Sequence, residues 1–215
     1  MRAIRSGGVV SITLVLVGAA CSSSGKSSSA STSTTRAPAA IVWPAPPDPL
    51  VRARAAGLVP ETAEHLTYHV HAHLDVFVNG QKVTVPAGLG INIHDPGVHT
   101  FETLGAPSYG GISPPCNQPC ISPLHTHDIS GVIHTESATV KDNTLGQFFT
   151  EWGVRLDAKC VQNYCRPGTK VAVFVDGTPF AGDRRTIDLA NLKEIAIVIG
   201  SPPAQIPSVG DFSSL

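Results

Sequence analysis

Tyr68-His69-Val70-His71-Ala72-His73-Leu74-Asp75-Val76-Phe77-Val78-Asn79-Gly80-Gln81-Lys82-Val83-Thr84-Val85 carries two patterns at once. Leu66, Tyr68, Val70, Ala72, Leu74, Val76 and Val78 form a period-2 apolar row, which predicts a strand with one face on a core. His69, His71 and His73 fall on the alternate positions, so the same strand presents three imidazoles on its other face. Asn79-Gly80 between two such runs predicts a two-residue hairpin over Leu74–Val78 and Gln81–Val85.

Working outward, Asp176-Gly177 between Val171–Val175 and Thr178–Phe180 predicts a second hairpin. Ile195–Ile199 reads as a short buried strand, preceded by a polar turn or short helix at Asp188–Lys193. In Thr144–Gly153, Leu145, Phe148, Phe149 and Trp152 recur at helical spacing and Gly153 is a stop, so the aromatics are expected in the core. Asp48 as N-cap, Pro49 at the first helical position and Gly57 past the end frame a short helix over Leu50–Ala56. The sum is an α+β fold, mainly an antiparallel sheet built from hairpins with one or two short helices packed on it.

A second histidine segment follows a Gly/Pro-rich stretch, 105–123, that reads as a loop. In Leu124-His125-Thr126-His127-Asp128 the histidines are again two apart, and in the probable strand 131–137 Val132, His134 and Glu136 share a face. Six of the nine histidines thus lie in two compact groups; His65, His94 and His99 read as ordinary surface or hydrogen-bonded residues. Neutral imidazoles crowd together most favourably around a shared cation. The expected metal ligands are His69, His71, His73, His125, His127 and His134, with two of the first three and one or two of the last three on one ion. Asp75, Asp128 and Glu136 would orient imidazoles or act as a base on bound water, Glu136 and Asp128 being the catalytic candidates. With imidazoles abundant and Met1 the sole methionine, the metal is Zn²⁺ or Cu²⁺ rather than Cu(I).

The N-terminus reads as an export signal: Arg2 and Arg5, an apolar run from Val9 to Val17, and small residues Gly18, Ala19 and Ala20 before Cys21. The run is too short to span a membrane. It resembles a bacterial lipoprotein signal, which implies acylation of Cys21 and a lipid anchor on the outer face of the cell membrane. Gly18 stands where that pattern prefers a larger aliphatic residue, and ordinary secretory cleavage is the alternative. The domain reading is a signal peptide over residues 1–20, a Ser/Thr-rich flexible tether over 21–42 and one His-rich α+β domain over 43–215. Cleavage would leave thirteen basic against sixteen acidic residues and no Lys/Arg run, which argues against a nucleic-acid partner. Cys116, Cys120, Cys160 and Cys165 remain; an even number in an exported chain favours two disulfides over a zinc site, in any of three connectivities.

The succession His-Leu-Asp-Val-Phe-Val-Asn-Gly (73–80), Val-Thr-Val-Pro-Ala-Gly-Leu-Gly-Ile (83–91), Leu-His-Thr-His-Asp-Ile-Ser-Gly-Val-Ile-His-Thr-Glu (124–136) and Thr-Leu-Gly-Gln-Phe-Phe-Thr-Glu-Trp-Gly (144–153) resembles a group of exported His-rich, lipoprotein-like proteins of actinobacteria and some archaea. The resemblance covers most of the folded part and implies export and a role for the histidines, but no reaction. The ligand chemistry alone is similar to the strand-borne histidines of α-type carbonic anhydrases. Three functions are compatible with these features: an envelope metal-binding protein, a metal-dependent hydrolase or hydratase with a three-histidine-bound water, and a structural or partner-binding envelope protein without metal. A Ser/His/Asp hydrolase built on Ser130 lacks the Gly-X-Ser-X-Gly elbow.

Overall fold

In the computed structural model, which describes residues 41–215, the chain enters through a short strand, β1 (Ile41–Val42), and a helix, α1 (Pro49–Ala55). The last two residues of the expected tether are therefore part of the sheet. Asp48 gives α1 no side-chain cap and its carboxylate lies 3.9 Å from Arg52 instead, so the start of α1 rests on Pro49 at its first position. The long strand β2 (Tyr68–Val78) and β3 (Gln81–Thr84) form the first expected hairpin, with Val78 opposite Gln81. Asn79 and Gly80 take φ of 51° and 79°, the two positive values such a turn demands.

Next come β4 (His99–Thr103) and β5 (Ala106–Gly110), a separate hairpin whose second strand falls inside the stretch expected to be a loop. Its turn also has two positive φ values, at Leu104 and Gly105, but a leucine in the first turn position conceals it from sequence reading. β6 (Leu124–His125) and β7 (Val132–Ser137) follow, then the helix α2 (Leu145–Trp152). The remaining strands are β8 (Cys160–Val161), β9 (Tyr164–Cys165), the expected hairpin β10 (Val171–Val175) with β11 (Thr178–Phe180), and β12 (Lys193–Ile199). The single 3-10 turn in this region lies at Arg184–Thr186, before the segment where a polar turn or short helix was expected.

The main sheet runs β1-β3-β2-β12-β10-β11, and β7 joins the other half of β2 and carries β6. Most of its pairings are antiparallel, as the hairpins lead one to expect, but the sheet is mixed: β12 enters between the two hairpins and runs parallel to β2, and β1 is parallel to β3. The physical reason is the composition of β12. From Glu194 to Ile199 every residue is buried, and a strand covered on both faces belongs in the middle of a sheet, where a parallel partner is as good as an antiparallel one.

Ala72, Leu74, Val76 and Val78 point into the core with Ile195, Ile197, Phe148, Phe149 and Trp152 of α2. The Trp152 indole N–H donates to the Trp43 carbonyl at 3.2 Å, tying the entry segment to the helix. Leu66, the first residue of the expected apolar row, is exposed and lies before β2 begins. Two disulfides, Cys116–Cys120 and Cys160–Cys165, resolve the connectivity and fit an oxidising compartment. The first sits on a small cluster of Ile91, Val98, Ile112 and Ile121 just ahead of β6.

α2 begins with a complete capping box: the Gln147 backbone N–H donates to Thr144 Oγ1, and the Thr144 N–H to Gln147 Oε1 at 2.9 Å. Thr144→Ala is expected to lower stability by about 1 kcal/mol, read as a shift in the denaturation midpoint without a change in slope. An unchanged midpoint would show that core packing alone sets this helix start.

Candidate metal centre

Strand register assembles the site. His71 on β2 stands opposite His134 on β7, and His134 stands opposite His125 on β6, so three imidazoles line up abreast across neighbouring strands. One pair further along, His69 faces Glu136. His127 joins from the chain just beyond β6. The ring centroids of His134 lie 4.5 Å from His71, 4.3 Å from His127 and 5.4 Å from His125, and those of His69 and His71 are 4.4 Å apart.

Two of these rings have their tautomers fixed by backbone. His125 Nδ1–H donates to the Ser122 carbonyl at 2.9 Å, and His127 Nδ1–H to the Tyr109 carbonyl at 2.5 Å. The second contact needs Gly110, because a Cβ there would fall 2.6 Å from His127 Nδ1. With both Nδ1 atoms donating, each ring in its neutral form presents a bare Nε2 lone pair, and the two Nε2 atoms lie 3.3 Å apart, so a cation or a proton on His127 must stand between them. Two lone pairs cannot hydrogen-bond to each other. A cation between them resolves the repulsion, and about 3.3 Å is the edge of a tetrahedron whose metal–nitrogen bonds are about 2.0–2.1 Å.

Glu136 closes the arrangement. Its Oε1 lies 3.1 Å from His69 Nε2, 3.4 Å from His134 Nδ1, 3.7 Å from His125 Nε2 and 3.9 Å from His127 Nε2. Its Oε2 is buried and has no hydrogen-bond partner among the described residues. Burial would raise the Glu136 carboxyl, but the imidazoles of His125, His127 and His134 outweigh it and hold the group well below the usual carboxylate range. Burial pushes His134 down to about 3 against the pull of Glu136, and burial with the adjacent His69 pushes His71 to about 4. Both are therefore neutral ligands at pH 7. Burial also works against protonation of His127, but Glu136 and the Tyr109 carbonyl prevail and its value is raised. Donor atoms of His125, His127, His134 and Glu136, and separately of His69, His71 and His134, lie within 4.8 Å of one another.

His69, His127, His134 and Glu136 line a cleft of about 320 Å³ with Glu64, Tyr109 and Phe101, so the cluster is reached from solvent. Asp128 faces the same cleft, but its Oδ1 accepts the Ser130 backbone N–H at 2.8 Å and serves the turn before β7. This leaves Glu136 as the carboxylate among the imidazoles.

His73 is not part of this group. Its Nδ1 lies 2.6 Å from Glu194 Oε2, and its Nε2–H donates to the Ser130 carbonyl at 3.1 Å. Burial opposes protonation of this ring, but the hydrogen bond and charge of Glu194 outweigh it and raise the imidazole above its ordinary value, while burial raises the Glu194 carboxyl as well. The reason is geometric: two residues along a strand is about 6.6 Å, the register partner there is Val132, and β12 sets Glu194 alongside. His73 is thus separated from the other five histidines and forms, with Asp75 and Glu194, a third group whose donor atoms lie within 4.8 Å of one another. Glu194 was the residue missed, although a single acid at the head of an apolar run must find a partner when buried. Asp75 pairs with Lys82 at 2.6 Å. His65 pairs with Glu61, His99 Nε2–H donates to the Ser113 carbonyl, and His94 is exposed.

No family model matches the chain, and no curated protein or solved structure matches it either. Cys21, the expected signal peptide and residues 21–40 of the expected tether lie outside the described residues. Among the described residues no helix is long and apolar enough to cross a membrane.

Proposed function

We propose that this is an exported, envelope-associated protein that binds Zn²⁺ or Cu²⁺ through His125, His127 and Glu136, with His134 as a further ligand. The observation that carries the reading is the pair of Nε2 atoms, 3.3 Å apart, on rings whose Nδ1–H groups are already committed to carbonyls, with the buried Glu136 carboxylate beside both. Three imidazoles with one carboxylate, and no thiolate or thioether, suit Zn²⁺ and Cu²⁺ over softer or harder ions. The Ser122 and Tyr109 carbonyls supply the outer hydrogen bonds that metal-bound histidines require. Acylation of Cys21 would hold the domain at the outer face of the cell membrane, in keeping with the lipoprotein-like signal and with two disulfides.

The test is elemental analysis of the mature protein prepared without a polyhistidine tag, followed by thermal unfolding before and after chelation. Bound zinc or copper, and a lower Tm once it is stripped, are expected. A metal-free protein whose Tm does not respond to either ion would replace this reading with a hydrogen-bonded histidine network.

A second reading, a metal-dependent hydrolase or hydratase, is favoured by the open cleft over the cluster. A bound ion left with a free position toward that cleft would lower the pKa of its water to about 7, with Glu136 placed to receive the proton.

A further inference from the structure

One tetrahedral ion takes four ligands, yet five imidazoles and a carboxylate converge here. They divide by strand. His125 and His127, on and just after β6, bring their Nε2 atoms to 3.3 Å. His69 and His71, both on β2, bring theirs to 2.9 Å. His134 stands between the two pairs, with ring centroids 4.3 Å from His127 and 4.5 Å from His71. Glu136 also faces both, its Oε1 being 3.1 Å from His69 Nε2 and 3.7 Å from His125 Nε2. The Glu136 side chain is only 4 % exposed and its Oε2 has no partner, so a single ion on Oε1 would leave half of a buried carboxylate unused.

The geometry points to a two-ion centre: one divalent cation on His125, His127 and Glu136, and a second on His69, His71 and His134, with the Glu136 carboxylate between them. This inference rests on the metal-binding reading and goes beyond it. Each ion would receive three protein donors, and His69, His127, His134 and Glu136 open onto the cleft, so that water could complete either coordination sphere. The arrangement also gives β2 a reason to carry His69 and His71 on the face away from the core, which the first ion does not need. A binuclear pair at the bottom of an open cleft suits ligands that span two metals, such as a carboxylate or phosphate group.

The experiment uses Zn²⁺ and Cu²⁺ themselves as probes on the mature full chain. Saturation with Zn²⁺ followed by removal of free ion is expected to leave two ions per chain. Cu²⁺ at saturation is expected to give the electron paramagnetic resonance signature of a coupled pair. In His71→Ala, and in the smaller perturbation His71→Gln, stoichiometry should fall from two to one and the copper spectrum should become that of an isolated ion. One ion per wild-type chain with an isolated spectrum overturns the two-ion inference and leaves the proposed function standing; His69 and His71 would then share a proton. No ion in the wild type overturns both.

Discussion

Alanine at position 127 is expected to weaken Zn²⁺ or Cu²⁺ binding by on the order of a hundredfold or more, since even outer-sphere losses around metal sites cost about 10–100-fold. His127 suits the test because its side chain is 25 % exposed, whereas His125 is fully enclosed and its removal would leave a cavity. Saturation of a site at about 100 times its dissociation constant adds about 2.7 kcal/mol to stability. For a domain of this size that is a rise in Tm of roughly 5–10 °C. The wild type should show such a rise on adding metal, and His127→Ala should not at the same concentration. The metal-free forms of the two proteins should melt close together. A variant that binds as tightly as the wild type would remove His127 from the site and with it the tautomer argument.

The second large effect comes from Glu151, a residue with no part in the cluster. It lies on α2, fully buried, and neither carboxylate oxygen completes a hydrogen bond. Burial pushes its carboxyl up to about 8, with the Ser122 hydroxyl pulling weakly the other way. A folded-state value raised above the unfolded one means that, between about 4.5 and 8, the folded chain still holds a proton that the unfolded chain has released. Stability then falls with rising pH across that window by about 1.4 kcal/mol per unit, amounting to about 3 kcal/mol by pH 7. Below the unfolded value the group has no such cost. Glu151→Gln keeps the shape and removes the proton, so the variant should match the wild type near pH 4 and exceed it by about 3 kcal/mol at pH 7. Urea denaturation at several pH values provides the measurement. Parallel stability curves for the two proteins would mean that Glu151 ionises inside the fold at its ordinary value.

Glu151 also shows why local reading has a limit. Its helix is legible in the apolar spacing of Leu145, Phe148, Phe149 and Trp152 and in the Gly153 stop, to which the structure adds the Thr144–Gln147 box. Helical position leaves Glu151 at the margin of the apolar face. Only the approach of the backbone at Gly90, whose Cβ would sit 3.0 Å from Glu151 Oε1, buries it. The hairpins behave likewise. Asn79-Gly80 and Asp176-Gly177 announce their turns, because residues that accept positive φ are few. Leu104-Gly105 makes a turn of the same kind and goes unannounced.

Within the candidate site, the alternation of His69 and His71 along β2, and of His134 and Glu136 along β7, follows from the two-residue period of a strand. That period determined, from sequence alone, which side chains share a face. It could not determine which residue of another strand stands opposite, since register depends on pairings made by the whole sheet. Tertiary structure therefore decided that His134 meets both His71 and His125, that Glu136 sits among the rings, and that His73 belongs to Glu194. It also decided the parallel entry of β12, because neighbours in a sheet are chosen by burial over the full core and each strand's own residues fix only its faces.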